Sequence, residues 1–135
     1  MDLHGWTEEQ IRVFLREQPQ DEIRAAVRDL GTEQVLIGIF GGMAGRFSPD
    51  SRRSAGRLLF VLTDVDQQHR HALDLGPDGA SVAAVDGPRA TITVDVVRFL
   101  QLGVGAADAG RLLLTRRLRV GGDRLWTAVV MRGLS

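Results

Sequence analysis

Apolar and polar positions divide the chain into a helical block, a strand-like block and a mixed block. In the first, Ile11, Phe14 and Leu15 recur at helical spacing behind Thr7 and Gln10, a capping-box pair that Trp6 can staple onto Ile11. Pro19 breaks this helix or opens the next. Ile23, Ala26, Val27 and Leu30 predict a second helix over 21–30, with Gly31 as its stop. Thr32 caps a third, whose apolar stripe Val35, Leu36, Ile39, Phe40 and Met43 runs to about Phe47. Gly38, Gly41, Gly42 and Gly45 interrupt it, each costing about 1 kcal/mol against Ala. Close packing is the expected reason, and a loose, movable helix is the alternative.

After the turn Ser48-Pro49-Asp50-Ser51 the period becomes two. Residues 57–63 are apolar on both faces and predict a central strand. Residues 70–75 alternate, with His71, Leu73 and Leu75 on one side. Residues 81–85 and 90–94 predict two more strands, separated by Gly and Pro turns. Asp95 then caps a helix carrying Phe99, Leu100 and Leu102, stopped at Gly103, and a further helix carries Leu112 and Leu113. In the next strand Leu118 and Val120 oppose Arg117 and Arg119. Gly121 and Gly122 permit a sharp turn, and Asp123 caps a final helix with Leu125, Trp126, Val129 and Val130 on one stripe. The expectation is one domain over 1–135: a helical lead-in (1–50), a four-strand antiparallel meander (56–94), and helices, last strand and C-terminal helix (95–135). The class is α+β, a five-stranded mainly antiparallel sheet with helices packed on one face.

Composition removes much chemistry. Cys is absent, which excludes disulfides, thiolate nucleophiles and Cys-based metal sites. All 17 basic residues are Arg, so Schiff-base and P-loop lysine chemistry are excluded. This Arg usage, with abundant Ala, Gly and Val, reads as a GC-rich bacterial genome. Formal charge is zero, giving no global field for nucleic acid. An acidic, polar N-terminus and the lack of a long apolar run predict a cytoplasmic protein.

Catalytic candidates are weak. His69 and His71 share a strand side but lack an evident third ligand, and two histidines at the end of an exposed strand is the preferred reading. Asp64 and Asp66 sit where a hairpin uses Asp for its own backbone. No G-x-S-x-G or G-x-G-x-x-G pattern occurs. Arg116, Arg117, Arg119 and Arg124 form a basic patch, read first as a solvated strand face and second as a place for an anionic headgroup or membrane. What remains is an apolar surplus on the helices, including Phe40, Met43, Phe47, Phe99, Leu112, Leu113, Trp126 and Val129. Such residues either fill a core or line a cavity, and composition does not separate the two.

From about Ala55 onward the chain resembles the sterol carrier protein type 2 domain. The matching features are Gly56 ahead of the strand Arg57-Leu58-Leu59-Phe60-Val61-Leu62, the phrase Ala90-Thr91-Ile92-Thr93-Val94 before a capped helix with Phe99, Leu100 and Gly103, and Leu118-Arg119-Val120-Gly121-Gly122-Asp123 before an apolar helix. Leu36 to Pro49 looks like the helical lead-in of bacterial members. One departure is Arg116, where the family usually has Gly. The resemblance implies helices enclosing an apolar cavity against the sheet and non-enzymatic binding or transfer of a fatty acid, acyl ester, phospholipid or sterol-like ligand, without cofactor or metal. Phe40, Met43, Phe47, Phe99, Leu100, Leu112, Leu113, Trp126, Val129 and Val130 are the expected ligand-binding residues. The expected partner is a hydrophobic small molecule or lipid, with transient membrane contact secondary and oligomeric state open. The eukaryotic peroxisomal tail is not expected in a chain closing on Gly133-Leu134-Ser135. A biosynthetic enzyme or accessory factor that folds an apolar substrate in the same cavity is the alternative. Ten buried methylenes would supply roughly 8 kcal/mol before immobilisation costs, enough for micromolar affinity with little discrimination between chains.

Overall fold

Residues 56–63 form the strand β1 (Gly56–Thr63) on which the sheet is built in the computed structural model, which describes residues 7–46, 55–103 and 109–134. Three helices precede it: α1 (Glu8–Glu17), α2 (Gln20–Leu30) and α3 (Thr32–Arg46). After it come β2 (Gln68–Gly76), β3 (Gly79–Ala83), β4 (Ala90–Asp95), α4 (Val96–Gly103), α5 (Ala109–Leu114), β5 (Leu118–Gly122) and α6 (Arg124–Leu134). Leu58, Phe60 and Leu62 of β1 enter the main core, while Leu59 and Val61 join Ala72 in a small cluster on the opposite face. A strand apolar on both sides has to be central, and the order β3-β2-β1-β4-β5 places β1 in the middle.

The expected four-strand meander is corrected at its last step. β1, β2 and β3 do meander, but β4 crosses to the other side of β1 and runs parallel to it, with Leu58 opposite Ala90 and Leu62 opposite Val94. β5 then pairs antiparallel with β4, so the sheet is mixed, with one parallel contact. The physical reason is burial. Ala90, Ile92 and Val94 are at most 2% exposed, which requires neighbours on both sides, whereas β3 is a solvated edge with Val82 58% exposed. The crossover is lashed to β1. Arg57 donates to Asp86 O at 2.8 Å, Arg89 N donates to Arg57 O at 2.8 Å, and Arg89 Nη1 donates to Ala55 O at 2.7 Å.

The helices cover one face of the sheet. The main core joins Phe14, Ile23, Leu36, Phe40, Val97 and Val130 from the helices to inward-facing strand residues, and the cluster on the other face holds strand residues alone. The α1 capping box forms as its sequence predicts, Gln10 N donating to Thr7 Oγ1 at 3.2 Å and Thr7 N to Gln10 Oε1 at 2.8 Å. Asp95 caps α4, accepting from Val97 N at 2.9 Å.

Arg24 of α2 binds Asp64 Oδ1 and Asp95 Oδ1, each at 2.7 Å, and so ties a helix to the ends of two parallel strands. Asp64 is also turned back on the hairpin, accepting from Val65 N at 2.8 Å. Burial opposes its charge, but that backbone bond and the guanidinium groups of Arg24 and Arg28 outweigh burial and lower its pKa. A lowered carboxylate pKa contributes stability above the unfolded value near 4, and that contribution is lost as pH falls through the folded value. Asp64→Asn should therefore destabilise by about 3 kcal/mol at neutral pH, with the gap to wild type closing in acid unfolding titrations below about pH 4.

Close packing does not explain the glycines of α3. A Cβ at Gly38, Gly41, Gly42 or Gly45 would meet nothing within 4 Å among the described residues. Gly38→Ala and Gly41→Ala should each stabilise the fold by about 1 kcal/mol in urea titrations, since Ala reduces the freedom of the unfolded chain without a clash.

Candidate ligand groove

The expected ligand-binding residues divide by location. Phe40 and Phe99 stack at 5.4 Å, and Phe60 lies 5.0 Å from Phe40 and 5.6 Å from Phe99. These rings fill the centre of the core with one another. Leu100, Leu112, Trp126 and Val130 belong to the same cluster, with Met43 packed partly buried against it. Phe47 lies outside the described residues.

Val129 is 41% exposed and Leu125 84%, so the expected stripe of α6 is corrected. The expected Trp126 and Val130 are buried, and Thr127 joins them in place of Leu125 and Val129, the inward face being rotated by about one residue. The seat of Trp126 sets that rotation. Its ring lies under the Arg89 guanidinium at 4.9 Å, and Asp123 binds both Arg89, at 3.0 and 3.1 Å, and the Trp126 N–H, at 2.9 Å. The backbone N–H of Trp126, with the Arg89 guanidinium, holds the Asp123 pKa below the usual value. A Cβ on Gly56 would come within 2.9 Å of the Trp126 ring, and one on Gly122, whose φ is 78°, within 2.5 Å of Arg89 O. Trp126 is thus a clamped core residue.

His69 and His71 are not at an exposed strand end. Their side chains are 6% and 12% exposed, and Glu33 of α3 reaches both, His69 Nδ1 against Oε1 and His71 Nε2 at 3.2 Å from Oε2. His71 also stacks on Phe40 at 4.9 Å. The three form a polar clasp between α3 and β2. Among the described residues no group of three or more carboxylate, imidazole or thiol side chains is arranged to hold a metal.

The open apolar volume lies elsewhere, against β4, β5, α5 and α6. It is a groove of about 820 Å³, within the range of small-molecule sites. Ile92, Leu118 and Val120 from the inward faces of β4 and β5 contribute to its lining, as do Leu113 of α5 and Thr127 and Ala128 of α6. Arg116, Arg119 and Arg124 line it too. Of the expected residues that are described, only Leu113 is among these. Sequence reading singled out the arginines as a patch, and the alternation of Leu118 and Val120 signalled their inward face; what it lacked was that α5 and α6 leave this part of the sheet uncovered.

Arg116 explains the departure at its position. Arg117 N donates to Leu112 O at 2.8 Å and Arg116 N to Leu113 O at 3.1 Å, the paired bonds that end a helix through a left-handed residue. Arg116 has φ 59°, the one non-glycine residue with positive φ among those described. Gly would take this conformation without the Cβ contact.

The sequence pattern of the SCP-2 sterol transfer family matches residues 48–132. The chain belongs to this family. No relative among curated protein sequences is matched. Sterol Carrier Protein 2 Like 2 from Aedes aegypti superposes with a TM-score of 0.61 at 17% identity, covering 76% of this chain and 98% of that one. Sterol Carrier Protein-2 from Aedes aegypti, solved with the C16 fatty acid palmitate, gives 0.57 at 19% identity, covering 72% and 91%. The sec-alkylsulfatase Pisa1 from Pseudomonas sp. gives 0.55 at 16% identity, covering 69% of this chain but only 15% of the sulfatase. The SCP-2 fold is therefore found both as nearly a whole protein and as a small part of a larger enzyme.

Because the left-handed C′ position costs a residue with a Cβ roughly 1 kcal/mol, Arg116→Gly should raise stability by about that amount in urea or thermal unfolding.

Proposed function

We propose that this SCP-2 domain binds or transfers a hydrophobic ligand without transforming it, and that the ligand lies in the groove between β4–β5 and the helices α5 and α6. The observation that carries this reading is the open groove of about 820 Å³ with Ile92, Leu118 and Val120 on its lining, beside a core in which Phe40, Phe60 and Phe99 pack against one another. The palmitate complex of a fold relative supports a lipid as the class of ligand. The relative that is a sulfatase supports a second reading, in which the domain presents an apolar substrate to an enzyme.

Lipid extracted from the purified protein under denaturing conditions and identified by mass spectrometry, together with titration of a fluorescent fatty acid, tests the first reading. Saturable micromolar binding is expected. Ala128, exposed on α6 and lining the groove, is suited to a steric block, so Ala128→Trp should weaken binding at least tenfold with little change in stability. Absence of saturable binding, or affinity untouched by that substitution, would remove the groove from consideration.

A further inference from the structure

β5 ends the sheet, paired with β4 on one side and with no strand on the other among the described residues. The bond from Asp123 N to Arg89 O fixes the phase of the β4–β5 ladder. In an antiparallel pair, opposed residues alternate between those that exchange both backbone bonds and those that exchange none. Asp123 continues the register opposite Arg89, so Gly121 with Thr91 and Arg119 with Thr93 are the bonded pairs. Leu118, Val120 and Gly122 therefore turn their N–H and C=O groups to the free edge. None of the three has a hydrogen bond from there to another described residue.

The two faces of this edge differ in chemistry. Leu118 and Val120 face the helices and border the open groove, so α5 and α6 leave room beside the strand. Arg119 lies on the opposite face of the sheet, in register with Thr93, by strand alternation. Arg117 just before the strand and Arg124 just after it are exposed. None of these three arginines forms an ion pair with a described residue. The only acid between Thr115 and Trp126 is Asp123, already engaged by Arg89 and by the backbone N–H of Trp126. At the other end of the sheet β3 (Gly79–Ala83) carries no charged residue and has α3 packed against it.

This charge works against a second copy. Two β5 strands paired edge to edge would bring the unpaired arginines of both copies together, with no acid nearby to meet them. A strand carrying carboxylates meets the opposite condition. We propose that the free edge of β5 takes an extended segment of a partner protein as a further antiparallel strand, and that this segment alternates apolar and acidic residues. Leu118, Val120 and Gly122 supply the backbone bonds. The segment's residue opposite Val120 shares its face and extends the apolar side of the groove, so it is apolar. Its two neighbours fall on the face of Arg119, so they are acidic.

Titrating the full chain with the peptide acetyl-Thr-Val-Glu-Val-Glu-Val-Thr-amide tests this. Saturable binding is expected, weakening as salt rises, with slowed amide exchange at Val120 and Gly122 and none at β3. The same residues in the order Glu-Glu-Thr-Thr-Val-Val-Val keep the charge and lose the alternation, and should bind about tenfold more weakly or worse. N-methylation of the central Val removes a donor aimed at β5 and should abolish binding, whereas N-methylation of a Glu, whose N–H points away, should leave it intact. Arg119→Glu should weaken binding on the order of tenfold without lowering the melting temperature, since Arg119 is exposed. Absence of saturable binding, equal affinity for the two orders, or binding that leaves exchange at Val120 and Gly122 unaltered overturns the proposal. So does a chain that is already a dimer with those amides protected, which assigns the edge to a second copy.

Discussion

The two-sided burial of β1 is the constraint from which the rest of this structure follows. Leu58, Phe60 and Leu62 face the helices while Leu59 and Val61 face the other way, and all five are at most 9% exposed. Such a strand has no solvated side and cannot be an edge. β2 covers one flank through the hairpin. The other flank needs a partner from further along the chain, and β4, with Ala90, Ile92 and Val94 on its inward face, supplies it in parallel. β5 follows as the outer partner of β4. The groove then lies at the end of the sheet farthest from the hairpin, where α5 and α6 flank the inward face without filling it.

Polar contacts fix what this hydrophobic arrangement leaves adjustable. Arg24 joins the end of β1, at Asp64, to the end of β4, at Asp95, and Asp95 also starts α4. At the opposite ends of the same strands, Arg89 bridges Ala55 O, Asp123 and the ring of Trp126. The parallel pair is thus clamped at both ends by an arginine. The guanidinium suits this task because it offers several donors in fixed directions, so one side chain holds two elements at once. In this chain, which lacks Lys, the same residue type serves as structural clamp at Arg24 and Arg89 and stands without an ion-pair partner among the described residues at the groove.

Local signals were legible along most of the chain. The capping box at Thr7 and Gln10, the Asp95 and Asp123 caps and the two-faced pattern of residues 58–62 all rest on neighbours in sequence, and all appear where the pattern puts them. The misses involve partners distant in sequence. The fourth strand looked like the end of a meander because nothing local says which flank of β1 it will join. The histidines looked exposed because Glu33, 36 residues before His69, is what draws them in. The exposure of Val129 depends on a rotation of α6 set by Arg89 and Gly56, far from it in the chain. The candidate site shows the same division: the family resemblance placed the apolar residues of the helices around a ligand, but Phe40, Phe99 and Trp126 pack in the core, and Leu113 alone of the described expected residues lines the groove.

By itself the sequence determined the class, α+β, the family, the positions of nearly every helix and strand, and the absence of thiol and lysine chemistry. Each of these depends on residue type or on periodicity over a few turns, information that the linear order contains. The tertiary structure alone decided the parallel placement of β4, which bulky side chains pack together and which leave a groove, and which arginines are neutralised. Those outcomes depend on long-range pairing. Burial rewards any apolar residue that finds a partner, and an ion pair forms only where the fold delivers an acid to a base.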